Sequence, residues 1–279
     1  MAGKLYIVST PIGNLDDVTF RALQVLREVN LIAAEDTRRT AKLLQHYLIS
    51  TRTTSLHEHN ERLKIPGLLS RLRAGDSLAL VSDAGTPTVS DPGSRLVNEA
   101  HNADILVEPV PGPSAILAAL ASSGFSANSF TFLGYPPIKS KDRNIWLDRL
   151  TAHQETIVFF EAPHRLRRTL EEMQHILVDR PIYVGRELTK KYETLVKGPI
   201  KSIILGLKTI KGEFTIVVGP SQGRSKAKTS SPTDIEIATE FGYITETLGV
   251  QRTSGFLILA RHYGKSRRAI YEAIERTKK

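Results

Sequence analysis

The chain has 279 residues, 41% of them hydrophobic, with 38 Lys and Arg against 29 Asp and Glu for a formal net charge of +9. That length and apolar content suit two α/β-sized domains, and the absence of cysteine excludes disulfides, thiol catalysis and Cys-ligated zinc. No uncharged apolar run reaches the ~18 residues of a membrane span, and the N-terminus runs from Lys4 directly into the strand-like LYIVS, unlike a signal peptide. A cytoplasmic protein with no membrane partner is the expectation. Positive charge gathers late: residues 221–279 hold eleven Lys and Arg against six Asp and Glu, +5 of the +9, which suits a polyanionic partner.

Taken in chain order, strand-like runs alternate with amphipathic segments. Leu5–Ser9 reads as a strand, TPIGNLDD as a turn, and Phe20, Leu23, Leu26 and Val29 as one helix face. Leu31–Ala34 is a second strand ending in Glu35, Asp36, Thr37 and Arg38, followed by a basic helix from about Thr40 to Tyr47. A short strand at Thr54–Leu56, the cluster HEHNE at His57–Glu61 and a helix to about Arg73 come next. Leu78–Ser82 then opens into a loop of Gly, Pro, Ser, Thr and Asp, read DAGTPTVSDPG, in which Ser90 or Asp91 is expected to cap the next helix with Pro92 in its first turn. A helix over Leu96 and Val97, a strand at Ile105–Val110 and PGPSA opening a helix over Ser114–Ser122 complete a βαβα series, which implies a mostly parallel sheet covered on both faces.

Composition shifts toward Pro, Ser and aromatic residues after Ser123, and the expected organisation is an N-terminal α/β domain (1–123), a second α/β domain (124–220), a basic linker (221–232) and a helical C-terminal region (233–279). The second domain has strands at Phe130–Leu133, Ile157–Phe160, Ile182–Gly185, Thr194–Val196 and Phe214–Val218, several joined by short connections, so its sheet should be mixed or antiparallel. Thr233 and Glu236 have capping-box spacing. Two helical patterns flanking Tyr263–Ser266 suggest a basic hairpin, a nucleic-acid contact or an ordinary helical cap.

Several familiar motifs fail. No GxGxxG follows the first strand; GPSQG at Gly219–Gly223 has a linker where a nucleophile elbow needs a helix. His57 and His59 are half a metal site at most, and Glu61 stands where HExxH needs its second His; no metal is expected. What remains is five loops, TPIGN, AEDTR, HEHN, SDAGTP and PGPSA, each at the C-terminal end of a strand. In a parallel sheet those ends share one edge, so the loops should converge on one cleft. Gly13, Gly85 and Gly112 would let backbone approach a ligand, while Asp36, Arg38, His57 and His59 bring charged or titratable groups.

TPIGNL, AEDTR, HEHN, SDAGTPTVSDPG, PGPSA, FFEAPHR (Phe159–Arg165), GRELTKKYE (Gly185–Glu193) and KGEF (Lys211–Phe214) occur in an order that resembles the bacterial ribosomal RNA small subunit methyltransferase I family over roughly Leu5–Val218. The resemblance implies a two-domain tetrapyrrole-methylase-like fold, a homodimer, and methylation of the ribose 2′-hydroxyl of a cytidine in 16S ribosomal RNA, within the small ribosomal subunit, by S-adenosylmethionine. It implies that Pro11, Ile12 and Gly13 line the cofactor site, that Asp83, Ala84, Gly85 and Thr86 cradle it with Val89 nearby, and that Ser114, Ala115, Glu161, Gly212 and Glu213 close around the adenosine. Asp36 is the first candidate for the base, with the N-cap of the following helix as its structural alternative; His57 is the second, with His59 and Glu187 in reserve. Arg38, Arg165, Arg186 and Lys190 would meet RNA phosphates, with His59, Asn60 and Glu187 on the substrate side. The alternatives are a same-fold methyltransferase acting on a porphyrin precursor or a modified protein residue, and a non-catalytic regulator that binds S-adenosylmethionine and RNA.

Overall fold

The computed structural model describes residues 2–177, 180–207, 210–221, 232–247 and 251–277. Strands β1 (Lys4–Val8), β2 (Leu31–Ala34), β3 (Thr53–Ser55), β4 (Leu78–Val81) and β5 (Leu106–Val110) form a parallel sheet in the order β3-β2-β4-β1-β5. Between them run α1 (Phe20–Glu28), α2 (Thr37–His46), α3 (Glu61–Arg73) and α4 (Ser94–Asn102). The central strands LIAA and LALV are buried at every position because helices cover both faces. Ile32, Ala34, Ala79 and Val81 pack with Leu26 of α1 and Leu43 of α2, and Leu31, Ala33, Leu78 and Leu80 pack with Leu72 of α3 and Leu96 of α4.

The second sheet, β6 (Phe130–Phe132), β7 (Thr156–Glu161), β8 (Ile182–Arg186), β9 (Thr194–Gly198) and β10 (Phe214–Val218), runs in the order β6-β7-β10-β8-β9. Only β6 and β7 pair in parallel, so the sheet is mixed. Its strands alternate: Ile157, Phe159, Ile216 and Val218 face α6 (Ser140–Ala152), α7 (Pro163–Ile176) and α8 (Ile200–Gly206), while Val158 and Val217 face the other way. That second face is covered by α5 (Ala115–Ser123), whose Ile116, Ala119 and Leu120 pack on Val158, Tyr183 and Val217. Thus α5, which follows the last strand of the first sheet, joins the core of the second. Arg180 ties this second layer together from within, donating to the carbonyls of Leu150, His153, Glu155 and Gly219.

In the C-terminal region, α9 (Asp234–Gly242) continues as a π-helical turn over Tyr243–Thr247, then α10 (Arg252–His262) and α11 (Arg267–Arg276) follow. Ile237, Phe241, Leu259, Ile270 and Ile274 form its own apolar core. The Thr233–Glu236 capping box is present, and Ser266 caps α11. Most of the expected linker lies outside the described residues. No helix among the described residues is long and apolar enough to cross a membrane.

Two local expectations are corrected. Helix α2 begins at Thr37, three residues earlier than expected, because the Asp36 side chain caps it. The cap of α4 is Gly93, with φ 112°, not Ser90 or Asp91; those two residues lie instead in the wall of a cavity.

Candidate active site

The loops after β1 and β4 clasp each other at the C-terminal edge of the first sheet. The Thr10 N–H donates to Gly85 O at 2.9 Å and the Gly85 N–H donates back to Thr10 O at 3.0 Å. Ser9 and Thr86 share a hydroxyl hydrogen bond at 3.0 Å, and the Thr10 hydroxyl donates to Ser82 O at 3.2 Å. Gly85 holds φ +82°, which a Cβ disfavours, and its amide is spent on the neighbouring loop.

Between these loops and the second sheet lies a cavity of about 270 Å3. Strand order arranges its wall in sequence: Ser114, Ala115 and Ile116 after β5, Ile12 after β1, Asp83–Thr86 and Val89–Asp91 after β4, then Glu35 after β2 with Arg39 of α2. Three inter-strand steps make this wall about 14 Å long. The opposite wall is Tyr135, Phe160, Leu188, Glu213, Phe214 and Thr215. One end is therefore apolar, with Ile12, Ala115 and Ile116; the other carries the carboxylates of Glu35, Asp83 and Asp91 beside Arg39.

Of the expected cofactor residues, Ile12, Asp83, Ala84, Gly85, Thr86, Val89, Ser114, Ala115 and Glu213 line this cavity. Pro11 and Gly13 flank it. A Cβ on Gly13 would stand 2.4 Å from Lys190 Cγ and 2.7 Å from Leu188 O, and the Asn14 N–H donates to Thr189 Oγ1 at 3.0 Å. The approach that Gly13 permits is thus to the second domain. Glu161 is not in the cavity wall: its carboxylate is fully buried, accepts the Ala162 N–H at 2.8 Å, takes the Thr169 hydroxyl and pairs with Arg165 at 2.9 Å. Arg165, expected on RNA phosphate, is consumed by that pair and by Pro136 O at 2.9 Å. Gly212 lies in the turn against the Glu187 side chain.

Arg186, Glu187 and Lys190 are also braced internally. Arg186 Nε donates to Lys211 O at 2.6 Å and Nη1 to Tyr192 O at 3.2 Å. Lys190 Nζ sits 2.9 Å from both Glu187 and Glu213 carboxylates, and the Glu213 N–H donates to Glu187 at 2.9 Å. These ties fix the turns that close the cavity and occupy Arg186 and Lys190.

Asp36 does not line the cavity. Its carboxylate accepts the Arg38 N–H at 2.8 Å and the Arg38 guanidinium at 2.7 and 3.0 Å. The Arg38 hydrogen bonds hold it far below the usual carboxylate range, which makes it a helix cap and a weak base. His57 Nε2 lies 3.0 Å from the Asn60 amide nitrogen, and the Asn60 carbonyl oxygen accepts the His57 N–H at 2.9 Å. His57 Nδ1 is buried with no hydrogen-bond partner among the described residues. His59 is exposed beside Glu58. This cluster follows β3, the sheet edge, and stands outside the cavity wall. Among the described residues no group of three or more His, Asp or Glu could hold a metal ion.

Four titratable wall residues escaped the sequence reading as site residues: Glu35, Arg39, Asp91 and Tyr135. The Glu35 carboxylate accepts the Asp83 N–H at 3.2 Å; Asp83 accepts the Asp36 N–H at 3.0 Å and faces Arg39 at 3.4 Å. Burial raises the Glu35 carboxyl above its ordinary value. Burial first, then the Glu35 charge, pushes Asp91 up to about 6. Burial together with the charges of Glu213 and Asp91 also raises the Tyr135 phenol. Glu35 could have been suspected from its place directly after a strand, and Asp91 as the second acid of SDAGTPTVSDPG.

Comparison with known proteins agrees with this architecture. The family profile described as Tetrapyrrole (Corrin/Porphyrin) Methylases matches residues 4–204. The chain is 40% identical to a Haemophilus influenzae ribosomal RNA small subunit methyltransferase I, over 98% of this chain and 96% of that protein. It is 48% identical to the Bacillus subtilis protein of the same name, over 77% and 75% of the two chains. Among solved structures it resembles diphthine synthase, with a TM-score of 0.62 at 13% identity, covering 78% of this chain and 90% of that one. It also resembles uroporphyrin-III C-methyl transferase from Thermus thermophilus in complex with S-adenyl homocysteine, with a TM-score of 0.56 at 17% identity, covering 78% and 97%. At those identities the structural likeness establishes the fold, and the sequence relatives establish the rest: the chain belongs to the ribosomal RNA small subunit methyltransferase I family of the tetrapyrrole (corrin/porphyrin) methylases.

Proposed function

We propose that this chain methylates small-subunit ribosomal RNA, at the ribose 2′-hydroxyl of a cytidine in 16S RNA, with S-adenosylmethionine as donor. The observation that carries the reading is the graded cavity, apolar at Ile12, Ala115 and Ile116 and acidic at Glu35, Asp83 and Asp91. A nucleoside joined to a sulfonium and an ammonium group fits that gradient. Ser114–Ile116, Leu188 and Phe214 would hold the adenosine, and Asp83–Thr86 the cationic part. When bound, the cofactor supplies an electrophilic methyl carbon on a positively charged sulfur, so the protein's task is to align a hydroxyl, exclude water and take up a proton.

The entrance supports a polyanionic substrate. Helices α2, α3 and α4 start at this edge of the sheet, and their first turns carry Arg38, Arg62 and Arg95, all exposed. Lys139, Lys141 and Lys191 are exposed on the connections and helix start of the second domain. Cations that position a phosphate backbone without reading sequence are what docking on RNA needs. The names of the relatives point to the same substrate, and activity on ribosomal subunits would put the chain in the cytoplasm. A homodimer remains part of the proposal, checked by sedimentation at twice the chain mass.

The deciding experiment supplies labelled S-adenosylmethionine and small subunits from cells lacking this methylation, then digests the RNA to nucleosides. Label in 2′-O-methylcytidine is expected. Label confined to a base, to a porphyrin or to protein would overturn the reading.

A further inference from the structure

The acidic end of the cavity holds three carboxylates and a single arginine, more negative charge than a cationic cofactor requires for orientation alone. Two of the three are committed. Asp83 accepts the Asp36 N–H and faces Arg39, and Glu35 accepts the Asp83 N–H. Asp91 differs: it lines the cavity near Glu35 and Asp83, and no ion-pair partner stands beside it among the described residues. It lies after β4, between the stretch that would hold the cofactor and the β2 and β3 side of the mouth, where Arg38 and Arg62 rim the entrance. Asp91 and Glu35 are the carboxylates of this wall that no cation among the described residues neutralises directly, on the side of the cavity that faces the β2 loop.

From this placement we infer that Asp91 is the catalytic residue that takes the proton from the attacking ribose hydroxyl, with Glu35 as its coupled neighbour. The inference rests on the methyl-transfer reading above. In the step, the 2′ oxygen forms its bond to the methyl carbon while the methyl–sulfur bond breaks and leaves its electron pair on sulfur. The hydroxyl proton passes to an Asp91 carboxylate oxygen and leaves to solvent afterwards. Groups facing Asp91 come from every surrounding element: Glu35 at the end of β2, Asp83 and Ser82 after β4, Arg39 of α2 held on Asp83, and Tyr135 and Glu213 from the second domain. Glu213 is balanced by Lys190, so Glu35 is the charge that chiefly tunes Asp91. A carboxylate raised to about 6 is still ionised at pH 7.5 and is a stronger proton acceptor than an ordinary aspartate. The pair titrates jointly, so the measured values belong to both groups.

The test uses the full chain with small subunits as substrate, comparing wild type, Asp91→Asn, Asp91→Glu and Glu35→Gln. Cofactor affinity is read by calorimetry, and single-turnover transfer is read from pH 5 to 8.5. Asp91→Asn is expected to bind S-adenosylmethionine within about threefold of wild type and to transfer on the order of 100-fold more slowly. Asp91→Glu should recover part of that loss. The wild-type rate should rise through a limb near pH 6, Glu35→Gln should move that limb to lower pH, and Asp91→Asn should abolish it. If Asp91→Asn transfers at the wild-type rate, or if the wild-type limb is absent, Asp91 is not the proton acceptor. If Asp91→Asn loses affinity in proportion to rate, Asp91 binds the cofactor and the inference also fails. Should Asp91→Asn not fold, the wild-type limb and its shift in Glu35→Gln decide alone. Wild type that binds the cofactor yet labels no ribose would instead sink the reading on which the inference rests.

Discussion

Asp36 and Asp91 divide between them the two things a carboxylate does at the mouth of a sheet. Asp36 is ionised and pinned by Arg38; Asp91 is half-buried, with no cation paired to it among the described residues. Asp36→Asn keeps a capping oxygen, so methyl transfer should stay within about twofold of wild type, and a loss beyond tenfold in a labelled-cofactor assay would return Asp36 to the chemistry. Asp91→Asn should have the opposite signature in stability. Because the folded state raises the Asp91 carboxyl, folding binds a proton between the unfolded value near 4 and the folded value of about 6. Stability therefore falls as pH rises through that window, and the cost is complete above it. Asparagine removes the cost, so denaturant melts at pH 8 should show a gain of about 1–2 kcal/mol after allowance for solvent screening, vanishing at pH 4. Sequence could name both acids but not tell them apart. What turns Asp91 inward is backbone in the left-handed region at Thr88 (φ 73°) and Ser90 (φ 63°), and neither residue type announces that conformation. The pairing of Glu161 with Arg165 was hidden for a related reason: their spacing of four is visible, but the burial that makes them each other's partner comes from the packing of α7 on β7.

Elements were far more legible than side-chain roles. Apolar and β-branched runs bounded by turn residues located the strands, and β2 and β10 match residue for residue, because every position in both is buried. The mixed character of the second sheet was readable from its short connections. Two ties between elements were not, and both can be tested. Gly13→Ala drives a methyl group into Leu188 O and Lys190 Cγ. An overpacked contact of this kind costs about 1–3 kcal/mol, and cofactor affinity should fall at least tenfold because the contact sets the distance between the cavity walls. Arg180→Lys leaves buried carbonyls at Leu150, His153, Glu155 and Gly219 short of donors. Chemical denaturation should record a loss of about 3 kcal/mol, with cofactor affinity in the surviving folded protein unchanged.

For the molecule as a whole, net positive charge is the property that connects the cavity to a large substrate. Arginines at the starts of α3 and α4 carry no internal duty comparable to that of Arg165 or Arg186. Replacing Arg62 and Arg95 by Gln should lower the salt dependence of RNA-subunit binding by about 1.4–1.8 in log–log slope and leave cofactor affinity as it was. The C-terminal helices contribute less free charge than their composition promises, since Arg268 pairs with Glu272 and Arg276 with Asp234. Helix α5 has the widest reach. It is joined covalently to β5 of one sheet and embedded in the core of the other, so the turn Pro111–Ser114 carries the chain from the first half into the core of the second. Ser114 and Ala115, at the end of that turn, are also cavity wall. The residues that would seat a ligand are thus the same ones that splice the two sheets, so a substitution there that loosens the splice also reshapes the cavity.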